Sequence, residues 1–336
     1  MTISIREIAR LSGVSSATVS RVLNGSSKVT EETTLRVRQV IRDLNFVPNQ
    51  GAVHLKSGKS QIYGIVIPDV ANPFFTEVVK LFEGLLFQND YDLLVANTDF
   101  HSTRAQRSLH RMLLRRVDGV AILASEQEAA ALAPLMQNRI PVVTTDHYRV
   151  GPGLSDIAVD FQGGMAKVAD HLHALGHGHV GYIGGNPGPL TSRIRMESFL
   201  NSAIKLGMAS REGWIEEGNY RIDGGAAAMA RILSQPEIPT AVVAANDLMA
   251  IGALRAIYEK GLRIPQDISI VGCDDIEMSD IVYPPLTTLR ISRVEYARML
   301  FEALQKTEED ASQTGLQFAL PTQLIVRKST GPAPAR

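Results

Sequence analysis

The sequence predicts a multi-domain fold: a small all-α unit at the N-terminus, then a much larger α/β body with parallel strands. Charge divides the chain the same way. Nine basic and four acidic side chains fall in the first 59 residues, against 25 basic and 31 acidic in the rest of the 336, so a nearly neutral chain carries a positive head and a negative body. The head shows helix-period apolar spacing punctuated by glycines, whereas the body alternates short apolar runs with helical stretches. At 45% hydrophobic and 21% charged, the composition is that of globular domains, two or three of them at this length.

The single cysteine, Cys273, excludes an internal disulfide framework and fits a reducing compartment. Residues Met1 to Glu7 lack the apolar run of a secretory signal. No window approaches the about 18 to 20 apolar residues that span a bilayer. A cytoplasmic protein with no membrane partner is expected.

In the head, Ser4-Ile5-Arg6-Glu7 has the form of a capping box, and Ile5, Ile8 and Ala9 continue at helical spacing until Gly13. Ser15 can cap a second helix from about Ser16 to Leu23. Its Val19, Val22 and Leu23 face inward, leaving Ser16, Ala17, Ser20, Arg21 and Asn24 outside. A third helix starts after Thr30, with Glu31 and Glu32 in its positive first turn and Leu35, Val40, Ile41 and Leu44 as its expected inner stripe. Helix, tight turn and helix within about 20 residues is the helix-turn-helix plan, whose second helix fits the major groove of DNA. Small exposed residues let that helix approach closely, and the Arg21 guanidinium can fork onto a guanine edge or a phosphate.

The segments Ile5-Arg6-Glu7-Ile8-Ala9, Gly13-Val14-Ser15, Ala17-Thr18-Val19-Ser20-Arg21-Val22-Leu23-Asn24 and Val47-Pro48-Asn49 resemble the headpiece of the LacI/GalR family of bacterial transcription regulators. The resemblance implies base contacts from Ser16, Ala17 and Arg21, with Ser20, Asn24 and Asn49 as further DNA-facing candidates. Ala17 can offer only a methyl contact. Pro48 to Leu55 resembles the family's hinge, which implies that Leu55 wedges into the minor groove and kinks the duplex. Here the hinge departs from the pattern: Gly51 costs roughly 1 kcal/mol of helix propensity relative to alanine, and Val53 replaces a polar or basic residue. Lys56 and Lys59 follow, placed for phosphates, and Ser57-Gly58 supplies a flexible joint.

In the body, Ile62 to Ile67, Tyr91 to Ala96, Gly119 to Leu123, Pro141 to Thr145, Val180 to Ile183, Ala241 to Ala244 and Ile268 to Val271 are expected to be parallel strands. Ligands of open α/β sheets sit beyond the carboxyl ends of the strands. Polar residues appear there: Asp69 and Asn72, Asn97 to Asp99, Ser125, Asp146, Asn246 with Asp247, and Asp274 with Asp275. Asn72 and Asn246 also suit helix caps.

Asn72-Pro73-Phe74-Phe75, Val243 to Ala250, Val271-Gly272-Cys273-Asp274-Asp275 and Pro284 to Leu289 extend the resemblance across the body, from about Ile3 to Lys328. It implies a two-lobed, periplasmic-binding-protein-like core with effector contacts from Phe74, Asp146, Arg195, Tyr220, Asn246 and Asp274. Carboxylates, an amide and a guanidinium suit a hydroxylated small molecule such as a sugar, and Phe74 or Tyr220 can stack on a sugar face or a base. Arg193 and Arg293 near Arg195 would favour an anionic sugar if they also pointed inward. The expected division is 1–46 headpiece, 47–59 hinge and 60–330 core, with one lobe of about 60–160 and 290–319 and the other of about 161–289 and 320–330. The chain would change lobes near Phe161, Leu289 and Leu320.

Other signals point away from metal and from catalysis. His171, His173, His177 and His179 lack the i, i+4 spacing of a helical zinc pair. Gly184-Gly185 has neither a Walker loop nor a Gly-x-Gly-x-x-Gly around it and is expected to be a turn. No serine sits in a nucleophile elbow, and neither Asn246-Asp247 nor Asp274-Asp275 sets an acid and a base on opposite sides of a substrate bond. No cofactor, no metal and no catalytic residue are expected.

The reading is a homodimeric repressor that binds pseudo-palindromic double-stranded operator DNA under control of a small-molecule effector. The last eight residues carry no leucine heptads for a tail-built tetramer. A solute-binding protein with a basic head and a sugar-modifying enzyme are the competing classes. A salt-dependent gel shift and a turnover assay separate them.

Overall fold

The computed structural model describes residues 4–23, 26–46, 59–123, 129–147, 149–185, 190–309 and 315–335. The chain forms two compact units, Met1–Ser60 and Gln61–Arg336.

The first unit contains α1 (Ile5–Ser12), α2 (Ser16–Leu23) and α3 (Glu31–Asp43). The Glu7 amide donates to the Ser4 hydroxyl at 3.4 Å, while the Glu7 carboxylate lies 3.8 Å from Arg10. Gly13 ends α1 at φ 65°, a left-handed conformation that glycine adopts without steric cost, and so makes the tight turn into α2. Ser15 accepts from the Thr18 amide at 3.1 Å and caps α2. Ile8, Ala9, Val19, Val22 and Val37 form the core, with Val40, Ile41 and Leu44 against it. Leu35, expected inside, is 57% exposed, and Val37 takes its place. Helical period explains the difference: Val37 lies three and four residues before Val40 and Ile41, whereas Leu35 points about 200° away from Val37.

The second unit has two lobes, each a six-stranded sheet with helices against it. The first comprises β1 (Ile62–Ile67), α4 (Pro73–Phe87), β2 (Asp92–Asn97), α5 (Ser102–Leu114), β3 (Gly119–Ile122), α6 (Ala129–Gln137), β4 (Val142–Thr145) and β5 (Leu154–Val159). The second comprises α7 (Phe161–Ala174), β6 (Val180–Gly184), α8 (Leu190–Lys205), β7 (Ile215–Glu217), α9 (Ile222–Ile232), β8 (Ala241–Ala244), α10 (Asp247–Glu259), β9 (Ser269–Asp274), α11 (Met278–Ile281) and β10 (Thr287–Ile291). The chain then returns to the first lobe for α12 (Arg293–Glu309) and β11 (Gln317–Leu320), and β12 (Thr322–Ile325) ends in the second. Strand orders are β11-β5-β4-β3-β1-β2 and β12-β10-β9-β8-β6-β7. Among the described strands, every pairing is parallel except β10 with β12.

The connections between lobes run through Asp160, Ser292 and Pro321. The middle one lies beyond Leu289 because β10 keeps its register to the Ile291–Thr322 pair, so Arg290 and Ile291 belong to the second sheet. Beyond β12 the chain stays on the second lobe. Ser329 and Ala333 bond to the backbones of Ile270 and Leu175, and His177 holds Thr240 at 3.0 Å and the Gly331 carbonyl at 3.1 Å. Both ring nitrogens of His177 are therefore engaged, one with the residue before β8 and the other with the tail. No group of metal-binding side chains occurs among the described residues. Nor, among them, is any helix long and apolar enough to cross a membrane.

Candidate functional site

The α2 helix presents Ser16, Ala17 and Arg21 to solvent and half-buries Ser20, while Val19 and Val22 anchor it from below. Its outer face is thus small, polar and cationic on a rigid support, the shape and charge required to enter a major groove. Asn24, Asn49 and Leu55 lie outside the described residues.

A pocket opens between the two lobes at the carboxyl ends of their strands. It encloses about 600 Å³ of space, its mouth included, and is lined by Asn72, Phe74, Phe75, Phe100, Asp146, Val159, Phe161, Thr191, Arg195, Tyr220, Asn246, Asp274, Ile291 and Tyr296. All six effector contacts implied by the sequence resemblance, Phe74, Asp146, Arg195, Tyr220, Asn246 and Asp274, lie in this one wall. The first lobe contributes Phe74 and Asp146, and the second contributes the other four.

Local chemistry aims them. Asn72 caps α4 through its Oδ1, which accepts from the Phe74 amide at 3.0 Å, and its side chain also hydrogen-bonds Asp274 across the cleft. Asn246 likewise caps α10 by accepting from the Met249 amide at 2.9 Å, and donates through Nδ2 to the Tyr220 carbonyl at 2.9 Å. Both residues thus cap a helix and also line the pocket. Asp99, Phe100, Asp146, Tyr220 and Asp274 all adopt positive φ, with Asp274 at 122°. Such backbone costs of order 1–3 kcal/mol per residue and concentrates where function requires it.

Arg195 rises from α8 into the centre of the pocket. Its guanidinium stacks 4.1 Å from the centroid of Phe161, donates to the Ala245 carbonyl at 2.8 Å and stands 4.0 Å from the Asp274 carboxylate. The buried Arg195 Nε–H has no hydrogen-bond partner among the described residues. Burial opposes its charge, yet Cys273, Asp274 and two tyrosines around it hold its pKa above the ordinary value. Asp146 is pushed up to about 7 by burial, against the Val159 amide that donates to it at 2.7 Å. Asp274 is pushed up to about 8 by burial, with Arg195 opposing. The pocket thus holds one persistent cation beside two carboxyl groups able to carry a proton near neutrality, so both donors and acceptors are on offer.

Several expected rim residues face elsewhere. Asp247 is fully buried beneath the site, where Ser279, Thr288 and the Ile276 amide all donate to it. Asp275 is held by Arg290 and Arg327. Arg193 pairs with Glu197 on the outside, and Arg293 grips Glu77 and the carbonyls of Asp274 and Asp275, so neither lines the pocket. Gly184-Gly185 is more than a turn, since a Cβ on Gly185 would overlap the Tyr220 ring.

Residues 4–49 match the lacI family of bacterial regulatory proteins, and residues 169–330 match a periplasmic binding protein-like domain. The "HTH-type transcriptional repressor PurR" of Glaesserella parasuis serovar 5 (strain SH0165) is 34% identical over 334 residues, covering 97% of this chain and 98% of its own. The chain belongs to the lacI family. As a member it is a DNA-binding transcriptional repressor, and its relatives are regulators rather than enzymes. Among solved structures, the lac repressor dimer bound to operator and the anti-inducer ONPF superposes on this LacI-family chain with a TM-score of 0.87 at 27% identity, covering 98% of this chain and 100% of the other. The transcriptional regulator CelR–cellobiose complex gives 0.73 at 26% identity, covering 97% and 99%.

Sequence reasoning missed Phe100, Phe161, Thr191 and Tyr296 in the pocket of this LacI-family repressor. Phe100 and Phe161 follow strand ends and were open to the rule that found their neighbours. Tyr296 belongs to α12, which carries no such signal in sequence; its hydroxyl bonds Thr145 and its ring lies 6.1 Å from Phe74.

Proposed function

We propose that the chain works in the cytoplasm as a homodimer on a pseudo-palindromic operator, and that a neutral, hydroxylated small molecule, a sugar or sugar derivative, sets its grip from between the lobes. Ser16, Ala17, Ser20 and Arg21, with Asn24, Asn49 and Leu55, are the DNA contacts of this reading. Phe74, Asp146, Arg195, Tyr220, Asn246 and Asp274 are its effector contacts. The carrying observation is the Arg195 guanidinium, its Nε–H unpartnered among the described residues, set among two carboxyl groups, an amide and aromatic walls. A ring hydroxyl can accept from Arg195 and donate to Asp146 or Asp274, while an aromatic ring covers the sugar face. Within the pocket lining an anionic sugar would meet Arg195 alone, because Arg193 pairs with Glu197 and Arg293 is held by Glu77 and the carbonyls of Asp274 and Asp275. The likeness to a regulator solved with cellobiose supports the sugar class.

The effector acts only through its different affinity for the DNA-competent and incompetent lobe arrangements. Calorimetry of the full-length protein with paired neutral and anionic sugars tests the ligand class: tighter binding of the neutral member is expected, and preference for the anion would overturn it. Selection of bound duplexes from a random pool tests the DNA reading. A palindromic consensus is expected, and retention of no consensus would overturn it.

A further inference from the structure

One turn of the second lobe reaches across the cleft mouth and holds the first lobe at three points. Arg221, between β7 and α9, donates from Nε to Asp69 at 3.1 Å and from Nη2 to Asp99 at 2.5 Å. Beside it, the Tyr220 ring stacks on Phe100 with centroids 5.4 Å apart and planes 11° from parallel. Asp69 and Asp99 follow β1 and β2, so every one of these contacts joins one lobe to the other. The turn itself is fixed in advance. The Asn219 Oδ1 accepts from the Arg221 amide at 2.9 Å, Asn246 holds the Tyr220 carbonyl, and Gly224 leaves room for the Asn219 side chain. Tyr220 has φ 63°, which turns its ring toward the pocket while the next side chain reaches outward.

We propose that Tyr220 and Arg221 form a latch with Phe100, Asp69 and Asp99 that holds the lobes shut and must open for a ligand to enter or leave the cleft. Opening separates Asp69, 5% exposed, from the cation that faces it, and uncovers two stacked rings. The latch therefore favours closure even without ligand. A bound molecule adds its own contacts to a cleft already biased shut, and exchange is governed by the latch rather than by the pocket alone. The pairs are partly exposed, Arg221 at 48%, so salt weakens them.

The ligand-free test is a distance measurement. Spin labels at Ser102→Cys on α5 and Ala227→Cys on α9, both exposed, report the gap between lobes, and buried Cys273 stays unlabelled. In the full-length protein Arg221→Ala should lengthen and broaden this distance. The conservative Arg221→Lys, which keeps a cation facing Asp69 and Asp99, should retain most of the wild-type distance. Raising salt from about 0.1 M to 1 M, which shortens the screening length from about 10 Å to 3 Å, should open the wild type and leave Arg221→Ala unchanged. An Arg221→Ala distribution identical to wild type would overturn the latch.

The ligand-bound arm rests on the effector reading: any sugar that binds the wild type should leave Arg221→Ala about tenfold faster. An unchanged release rate would also overturn the latch. A panel in which no sugar binds would defeat the sugar effector while the ligand-free distances still decide the latch.

Discussion

Asn72 and Asn246 each use one amide twice, capping a helix with the oxygen and reaching the cleft region with the rest. The sequence could identify both as cap residues, because an asparagine before a helix start is a local signal. It could not show that Asn72 also meets Asp274, because that partner lies in the other lobe. The aspartates follow the same logic. Burial raises Asp146 to about 7 and Asp274 to about 8, whereas unfolded carboxyls ionise near 4, so from about pH 4 to 8 the native state keeps protons that the unfolded chain releases. The contribution of these two groups to stability falls as pH rises through that window, while His171 and His177, lowered by burial, contribute in the opposite sense. Asp146→Asn removes one such group, so its melting temperature relative to wild type should move in favour of the variant between pH 5 and 8. A constant difference across that range would contradict the burial argument. In the headpiece, Arg21→Ala should cost about 1–3 kcal/mol of operator binding and relax base preference at its position, as measured by anisotropy on selected and substituted duplexes. A uniform loss over all sequences would instead place the guanidinium on a phosphate.

At the scale of elements, period makes α1, α2 and α3 legible, yet hydrophobicity alone does not place the inner face of α3. Leu35→Ala should change headpiece stability by no more than about 0.5 kcal/mol, whereas Val37→Ala, at the centre of a five-residue core, should cost about 2 kcal/mol. Amide exchange of α1 and α3 in the intact protein will separate the two. Strands written as unbroken apolar runs were visible in the sequence. β5, β7, β10, β11 and β12 were not, because Ser155, Asp156, Thr287 and Thr288 interrupt the runs or because the strand is short. The polar residues are buried all the same and satisfied by partners far along the chain: Thr144 donates to Asp156 at 2.8 Å, and Thr288 donates to Asp247.

For the whole molecule, charge asymmetry and family motifs sufficed to expect a reader joined to a two-lobed core, and the parallel sheets agree with that expectation. The pocket's composition was legible for the residues at strand ends and illegible for Tyr296, which reaches it only because α12 returns to the first lobe. Coupling between reader and pocket has a testable symmetry. If an effector changes operator affinity by some factor, typically about 5- to 150-fold, operator DNA must change effector affinity by the same factor. Titrating an effector found to bind into free and operator-bound protein checks this, and unequal factors would mean that more than one binding event is being measured.

The order of strands also dictates when the receptor can exist during synthesis. β11 completes the first sheet, and β12 with residues 329–333 completes the second, so both lobes await the same late segment. While the ribosome is still extending the chain at about 5–20 residues per second, the first helices can already have folded and neither sheet can have its full set of strands. Neither lobe of this repressor can therefore hold all its strands until residues 317–325 have been made.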